Sequence, residues 1–164
     1  KQKIEVPVPL LRQNPEDFLV DPWMFDRGPR YLVMGGLVFT ELTRPFIRSF
    51  RDWEKTAPVA LRHIELYPEQ YAEGRTKVVI LAYMIPTPAN VGYEKIATTV
   101  VEEANGRKIG SIRDLHDALL KPVDGRHQIK VSAPDPVIHL DAARAEKIDQ
   151  RLMANVIQPP SRLE

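Results

Sequence analysis

The stretch Tyr31–Thr40, YLVMGGLVFT, decides how the fold of this chain is interpreted, because it places a glycine pair inside a run of strand-forming residues. Aromatic and aliphatic residues on both sides of the glycines favour β-structure. Two glycines in such a run indicate a bulge, or a place where another backbone comes close. The stretch therefore predicts either a buried strand with a kink or a sheet edge that accepts an added peptide strand.

The composition is that of an ordinary globular domain. The chain has 164 residues, of which 43% are hydrophobic, and a formal net charge of +1. So small a charge gives no electrostatic basis for binding nucleic acid or an anionic membrane. No apolar run reaches the roughly 20 residues that a membrane-spanning helix needs. Because cysteine is absent, disulfides, thiol catalysis and thiolate metal sites are excluded.

The two ends of the chain differ from its middle. Ile4–Leu11 alternates loosely and contains two prolines, which confine a strand to a sheet edge. No signal-peptide pattern follows Lys1, so we expect a fragment of a longer protein. The predicted boundaries are an N-terminal extension with an edge strand packed on the domain (1–30), the domain itself (31–157), and a tail that is disordered or derived from a cloning tag (158–164).

Helix and strand signals follow the glycine pair in turn. Lys77–Met84 is a short apolar run, typical of a strand that is buried on both faces. Ser111, with Asp114 three residues later, predicts an N-capped helix at Ile112–Leu120. The other predicted elements are a helix start at Thr43-Arg44-Pro45, helices at 58–66 and 141–155, strands at 97–104, 128–131 and 137–140, and a reverse turn at Asn105-Gly106. Trp23 and Phe25, upstream, are expected to cover the core.

Motifs that carry chemistry are missing from the sequence. The four histidines have no HExxH spacing, so no metal site is predicted. There is no GxSxG nucleophile motif, no P-loop and no GxGxxG. Glu102 and Glu103 are adjacent on a predicted strand and would point to opposite faces, so they cannot form one acid pair. We therefore predict no catalytic residues and no cofactor.

The order of the elements, together with several local segments, resembles the PDZ domain of Deg/HtrA-type serine proteases. The run VVEEANGRKIGSIRDLHDALL is similar to the strand, Asn-Gly turn and capped helix of those domains. The likeness extends over about residues 4–157 and is greatest to the second, atypical PDZ domain of plant Deg proteases and their bacterial relatives. The segments that carry it are Pro29–Phe50, Asp52–Leu61, Val78–Glu94, Val100–Leu120 and Val137–Asp149.

This resemblance implies an α+β fold, a PDZ-like, partly open β-barrel or sandwich capped by helices, with a helical insert at Pro45–Gly74 and a C-terminal helix. It also implies a non-catalytic C-terminal regulatory module of a periplasmic or organellar trypsin-like protease, and it favours a periplasmic or secreted bacterial setting. The implied partners are peptides or unfolded-protein segments, an adjacent PDZ or protease domain of the parent chain, and further copies in a homo-oligomer. Nucleic acid, a membrane span, metals and cofactors are not expected.

In PDZ domains a peptide adds as a strand between the glycine-bearing strand and the capped helix, and main-chain bonds supply the affinity. The resemblance places that groove between the GGLVF strand and helix 112–120. The peptide-binding residues it implies are Met34, Gly35, Gly36, Leu37, Val38, Phe39, Ile112, His116 and Leu119. Two registers of the carboxylate-binding loop are possible: Tyr31–Met34, with Val33 in the position of the usual glycine, or Gly35–Phe39 in the place of the GLGF loop. We favour the second, because Gly35-Gly36 would let a peptide carboxylate approach the amides of Gly36 and Leu37. A neutral His116 would accept a hydrogen bond from a peptide hydroxyl.

Two classes of function remain open at this point. In the first, the domain recognises peptides in that groove. In the second, it is a structural or oligomerisation module whose groove is covered or filled by its own insert Pro45–Gly74 or by a neighbouring domain. The position of the insert beside the groove keeps the second class open.

Overall fold

A computed structural model describes residues 14, 17–23, 25, 28–132, 137–155 and 160–164. Its strands are β1 (Tyr31–Met34), β2 (Leu37–Glu41), β3 (Val79–Met84), β4 (Thr99–Ala104), β5 (Arg107–Lys108), β6 (Arg126–Val131), β7 (Val137–Asp141) and β8 (Ser161–Arg162). Its helices are α1 (Arg44–Arg48), α2 (Trp53–Thr56), α3 (Val59–Leu66), α4 (Ile112–Leu119) and α5 (Ala142–Asn155), with a 3-10 turn at Pro68–Tyr71.

The described strands form one antiparallel sheet. Their order is β7-β6-β4-β3-β2-β1-β8, and β5 pairs with the end of β4, at Glu103 and Ala104. The sheet remains open and does not close into a barrel. The predicted α+β, PDZ-like fold is confirmed. Of the predicted forms, a partly open barrel or a sandwich, the structure shows an open sheet.

The decisive stretch Tyr31–Thr40 is a hairpin, so the expectation of one kinked strand is wrong. β1 pairs with β2 from Met34↔Leu37 to Tyr31↔Thr40, and Gly35-Gly36 form the two-residue turn. Both glycines have positive φ, +59° and +89°. Of the two hairpin turns whose twist matches that of the strands, the type I′ turn requires positive φ at both central residues, which glycine adopts without steric cost.

Two apolar clusters lie on the two faces of the sheet. The first joins strand residues to α4 and α5, and contains Leu32, Met34, Leu37, Phe39, Leu81, Val101, Ile112, Leu115, Ala118, Ile129, Leu140 and Ala145 among others. The second joins the helical insert to the sheet, and contains Leu42, Ile47, Leu61, Ile64, Val78, Ile80 and Val100 among others. β3 contributes alternate residues to both, which confirms that it is buried on two faces.

The helix starts follow the predicted capping chemistry. The Thr43 hydroxyl accepts the Phe46 N–H at 3.2 Å before α1. At α4, the Ser111 hydroxyl accepts the Asp114 N–H at 3.1 Å and donates to the Asp114 carboxylate at 2.8 Å. These reciprocal bonds satisfy backbone donors that a helix N-terminus otherwise leaves unpaired.

The N-terminal segment is held by a buried ion pair. Lys77 and Asp21 form a salt bridge with both side chains almost fully buried, and the Lys77 ammonium also donates to the Phe18 carbonyl at 2.7 Å. The predicted edge strand Ile4–Leu11 lies outside the described residues. Trp23 and Phe25 are 58% and 92% exposed, so the expectation that they cover the core is wrong.

Candidate functional site

The predicted groove strand, β2, has no unpaired edge. Leu37 to Thr40 pair with β1 on one side, and Leu37 to Glu41 pair with β3 on the other. A strand can accept an added peptide only along an edge whose N–H and C=O groups are unpaired. β1 therefore occupies the side of β2 on which an added peptide strand was expected.

β1 also fills the space between β2 and α4 with its side chains. Leu32 and Met34 are 7% and 8% exposed and belong to the same cluster as Leu37 and Phe39 of β2. Ile112 and Leu115 of α4 complete that cluster from the other side. The first strand of the domain thus contributes two side chains to the apolar cluster that α4 joins.

The glycine turn is anchored from two directions. The Gly35 N–H donates to the Asp149 carboxylate of α5 at 2.7 Å. The Gly35 carbonyl accepts bonds from the Thr87 hydroxyl at 3.0 Å and from the Asn90 side-chain amide at 3.1 Å. The Gly36 carbonyl accepts the Ile85 N–H at 2.8 Å. A side-chain carboxylate therefore binds the Gly35 amide, which precedes the Gly36 and Leu37 amides at which the approach of a peptide carboxylate was predicted.

The Asp149 carboxyl has unusual acidity. Burial raises its pKa from 3.8 to about 6; the bond from the Gly35 N–H opposes this rise, and the nearby Glu146 carboxylate adds to it. Desolvation disfavours the charged form of an acid, and this effect exceeds the gain from one hydrogen bond here. The turn anchor thus titrates within a mildly acidic range.

α4 is fixed to the hairpin by Glu41, the last residue of β2. Its side chain is buried, and one carboxylate oxygen accepts the Ile112 N–H at 3.1 Å while the other contacts Arg30 at 3.2 Å. A carboxylate at a helix N-terminus satisfies an unpaired N–H and complements the helix dipole. The interaction sets the distance between β2 and the start of α4.

The structure brings together most of the nine predicted site residues, in a closed arrangement. Met34, Leu37, Phe39, Ile112 and Leu119 meet at the first cluster. Gly35 and Gly36 form the hairpin turn. Val38 points to the opposite face of the sheet, as the alternation of a strand requires.

His116 lies at the rim of α4. Its side chain is one-third exposed, and its Nδ1 is 3.1 Å from the carboxylate of the neighbouring Asp117. It does not belong to the first cluster, which α4 enters through Ile112, Leu115 and Ala118. β1 also offers His116 no hydroxyl partner. The one hydroxyl in its sequence Tyr-Leu-Val-Met belongs to Tyr31, which lines the other face of the sheet.

The helical insert does not fill the groove. Its buried residues Ile47, Leu61 and Ile64 pack in the second cluster, on the face of the sheet opposite α4. The expectation that the insert Pro45–Gly74 covers the groove is therefore wrong, and β1 takes that place. The physical reason is that the apolar residues of the insert are buried against Leu42, Val78 and Ile80, on the face of the sheet that carries the second cluster.

Two cavities flank the hairpin. One, of about 450 Å³ and mostly apolar, lies between the hairpin and α1, on the face of the sheet that carries the second cluster (the outer face). It is lined by Pro22, Pro29, Tyr31, Val38, Thr40, Pro45, Phe46 and Ala82 among others. The other, of about 700 Å³, lies between the C-terminal end of α4 and α5 and includes Met34, Leu119, His127 and Asp149. Burial lowers the pKa of the His127 imidazole.

The outer edge of β1 is covered by the end of the chain. Ser161 and Arg162 pair with Leu32 and Tyr31 in antiparallel register, and the Val33 N–H donates to the Pro160 carbonyl at 2.9 Å. These residues belong to the stretch 158–164 that the sequence assigned to a tail. Leu163 is half-buried and packs against the first cluster.

Three residues that hold the candidate site in place were not predicted as part of it. Asp149 and Asn90 hold the glycine turn, and Glu41 holds α4. Asp149 is separated from Gly35 by 114 residues, so only the fold could reveal that contact. A signal for the hairpin was present, because Gly-Gly between two strand-forming runs is a two-residue turn pattern.

No metal centre is formed by the described residues, among which no group of three His, Cys, Asp or Glu side chains lies close enough to hold an ion. Among the helices of the described ranges, none is both long and apolar enough to cross a membrane.

Comparison with known proteins agrees with this architecture. The family described as PDZ domain matches residues 20–160. The chain is similar to the mitochondrial Do-like 3 protein of Arabidopsis thaliana, with 25% identity over 141 residues, or 86% of this chain and 23% of that protein. It is also similar to the chloroplastic protease Do-like 2 of the same plant, with 33% identity over 95 residues, or 57% of this chain and 15% of that protein. The chain thus spans less than a quarter of either relative. It belongs to the PDZ domain family, in the form that accompanies Deg and Do-like proteases.

Proposed function

We propose that this PDZ domain serves a Deg/Do-like protease as a docking module, which contacts a neighbouring domain or subunit instead of capturing free C-terminal peptides between β2 and α4. The observation that supports this proposal is the position of β1, which pairs with β2 where a peptide would add. A peptide could enter only after the hairpin opened and exposed Leu32 and Met34. Exposing a buried aliphatic side chain costs about 1.5–3 kcal/mol, so opening would remove much of the binding energy of a short peptide.

The same nine residues have a different task in this proposal. They surround the first hairpin strand of the chain itself, or belong to it, instead of contacting a bound peptide. These residues are Met34, Gly35, Gly36, Leu37, Val38, Phe39, Ile112, His116 and Leu119. The Asp149 carboxylate accepts the Gly35 N–H at 2.7 Å and so fixes the turn next to the Gly36 and Leu37 amides that were assigned to a peptide carboxylate. In this proposal the groove between β2 and α4 is already occupied by β1, and partners bind at other surfaces of the domain.

The docking surface in this proposal is the outer face of the hairpin. Its cavity of about 450 Å³ is lined mainly by apolar groups, including Val38, Phe46 and Ala82, and Tyr83 beside it is 60% exposed. Exposed apolar concavities of this kind are typical of contact sites for other folded proteins. The small net charge of the chain also fits a contact governed by apolar burial.

Calorimetry with C-terminal peptides tests the filled groove. Each peptide is titrated twice, once with a free carboxylate and once as the amide, because only groove capture depends on the carboxylate. We expect no heat that distinguishes the two forms. Micromolar binding that is lost on amidation, and that is weakened by Leu119→Ala, would support peptide capture and overturn the proposal.

The docking surface is tested in the parent protease by sedimentation. Val38→Asp places a charge on the outer face, and Val59→Asp places the same charge on α3, where Val59 is 71% exposed and lines no part of the cavity. We expect Val38→Asp to change the assembly state or domain packing, and Val59→Asp to leave it intact. Equal behaviour of two folded variants would contradict docking through this face.

A further inference from the structure

Two exposed aromatic side chains lie close in sequence to the walls of the cavity on the outer face (the outer cavity). Phe25 is 92% exposed, the highest value among the large apolar side chains of the described residues, and Trp23 is 58% exposed. Both lie in sequence between Pro22 and Pro29, which line that cavity. Contact of so much apolar surface with water is unfavourable, and exposed apolar patches mark contact sites with other molecules. These two rings therefore extend the docking face proposed above.

The outer cavity is not filled by these rings, because neither Trp23 nor Phe25 lines it. Its volume of about 450 Å³ lies within the range of pockets that hold drug-sized ligands, so it has room for an aromatic side chain. The one carboxylate among the residues that line it, Glu41, is paired with Arg30 at 3.2 Å. An aromatic ring that entered from a second molecule would therefore meet mainly apolar walls and no unpaired charge.

The docking face thus holds both a projecting apolar group and a cavity whose chemistry accepts one. In an interface with two-fold symmetry the same patch of both copies meets, so each copy can insert its group into the cavity of the other. A partner with only one of the two features would leave either the cavity or the exposed rings uncovered. The net charge of +1 per chain gives only weak repulsion between two copies.

The exposed area also fits a contact between two copies. Tyr83 is 60% exposed and pairs across the strands with Val38 of the cavity wall, so it belongs to the same face. A covered aromatic side chain buries about 150–250 Å². The exposed parts of Trp23, Phe25 and Tyr83 therefore amount to roughly 300–500 Å² per copy. A specific interface buries about 800 Å² per partner, and in a reciprocal contact each copy also buries its cavity wall.

We propose that the partner of the outer face is a second copy of this chain, and that Phe25 of each copy enters the outer cavity of the other in a two-fold symmetric contact. Trp23 and Tyr83 cover the surroundings of the inserted ring and exclude water from it. This inference rests on the docking function proposed above and deepens it, because it names the partner and the side chain that fills the cavity.

Sedimentation of the full chain over a range of concentrations tests the inserted ring. We expect an equilibrium between monomer and dimer that Phe25→Ser weakens at least tenfold. The matched control is Val91→Ser, because Val91 is an apolar side chain that is 72% exposed and lines no part of the cavity. Both positions are exposed, so both variants should fold like the parent chain. A parent chain that stays monomeric, or equal dimerisation of Phe25→Ser and Val91→Ser, would overturn the inference.

A mixture of two variants tests whether the contact is reciprocal. Phe25→Ser keeps the cavity and lacks the ring, whereas Val38→Asp keeps the ring and places a charge in the cavity wall. Two copies of either variant have no intact pairing of ring and cavity, but the mixture has one. We expect the mixture to form a dimer at concentrations at which each variant alone is monomeric.

A second cavity variant guards against loss of folding in Val38→Asp. Pro45 lines the cavity in the first turn of α1, where an acidic residue complements the helix dipole, so Pro45→Asp should fold. No mixed dimer between Phe25→Ser and a folded cavity variant would contradict the reciprocal contact. Species larger than a dimer in the parent chain would indicate a head-to-tail contact and would also contradict it.

These results can be separated from the docking proposal. If the chain stays monomeric while Val38→Asp changes the assembly or domain packing of the parent protease, docking through the outer face is supported and only the second copy as its partner is wrong. If the chain dimerises through Phe25 while Val38→Asp leaves the parent protease unchanged, the docking function is wrong and the contact between copies stands.

Discussion

At the scale of single residues, Gly36 is the position in the β1–β2 turn that tolerates a side chain least. It has φ +89°, and an added Cβ would lie 2.5 Å from the Ile85 carbonyl oxygen. We expect Gly36→Ala to lower the free energy of unfolding by more than about 2 kcal/mol, since backbone strain and a clash with main chain add together. Urea unfolding followed by circular dichroism measures the loss.

Gly92→Ala is the matched control for this substitution. Gly92 has φ +94°, close to that of Gly36, but no atom lies within 4 Å of its added Cβ. Its cost should be about 1 kcal/mol, from backbone strain alone. Equal losses at the two positions would show that the contact with Ile85 does not hold the turn.

Asp149 should make stability depend on pH. Its pKa is about 6 in the folded protein against an ordinary 3.8, so between about pH 4 and 6 the folded state holds a proton that the unfolded state releases. The contribution is fully present below pH 4 and is lost as pH rises through 6. Asp149→Asn keeps an oxygen acceptor for Gly35 and does not titrate. We expect the stability of the variant relative to the parent to rise by about 1 kcal/mol between pH 4 and 7, because solvent screens this half-buried carboxyl.

Glu146→Gln provides the control for this pH effect. The Glu146 carboxylate raises the pKa of Asp149, although less than burial does. Removing its charge should move the pH window slightly downward without abolishing it. Thermal melts from pH 4 to 7 give the comparison, and parallel pH profiles for the parent and Asp149→Asn would contradict the assignment.

At the scale of secondary-structure elements, the link between β2 and α4 depends on Glu41. The Ile112 N–H donates to its carboxylate at 3.1 Å, and the side chain is almost fully buried. Glu41→Ala leaves that N–H and the Arg30 guanidinium without this partner, and should cost about 2–3 kcal/mol. Glu41→Gln keeps an acceptor for the helix and should cost less. Chemical unfolding checks the order, and equal losses would show that the helix contact contributes nothing.

The elements themselves differ in how far local sequence predicts them. Ser111 and Asp114 sit three residues apart and cap α4 through bonds within one turn, so their effect was predictable. The Gly35-Gly36 pair is compatible with a bulge and with a turn, and the flanking residues favour strand in both cases. The choice between them comes from contacts with Ile85, Asn90 and Asp149, which are distant in sequence.

At the scale of the whole molecule, the ion pair of Asp21 and Lys77 fastens the N-terminal segment to the sheet. Both side chains are buried, and 56 residues separate them. Removing one partner leaves a buried charge unpaired, so Lys77→Met should cost about 3–5 kcal/mol. The double variant Asp21→Asn with Lys77→Met should cost less than the sum of the single variants, which a double-mutant cycle measures.

A surface pair gives the reference for that cycle. Lys130 and Glu103 lie 3.5 Å apart with side chains that are 56% and 37% exposed. Exposed pairs contribute little, so Lys130→Met should cost less than about 0.5 kcal/mol. Comparable losses at Lys77 and Lys130 would mean that the N-terminal segment does not depend on the buried pair.

Local sequence by itself determined the fold class of this protein and most of its elements, but not the division of Tyr31–Thr40 into β1 and β2 or the short strands β5 and β8. Capping residues, apolar runs and the Asn105-Gly106 turn act over a few residues, and the predicted order of helices and strands is confirmed on that basis. The likeness of several segments to PDZ domains of Deg/HtrA proteases carried the family assignment, which the match over residues 20–160 supports.

Only the tertiary structure decided what occupies the groove. β1 pairs with β2, where other segments could compete for the same strand edge. Leu32 and Met34 pack with α4, and the Gly35 N–H donates to Asp149; both contacts join parts that lie far apart in the chain. An incoming peptide, the helical insert and β1 could each satisfy the same strand edge. β1 has the advantage of a two-residue connection, because closing so short a turn costs far less chain entropy than ordering a separate segment.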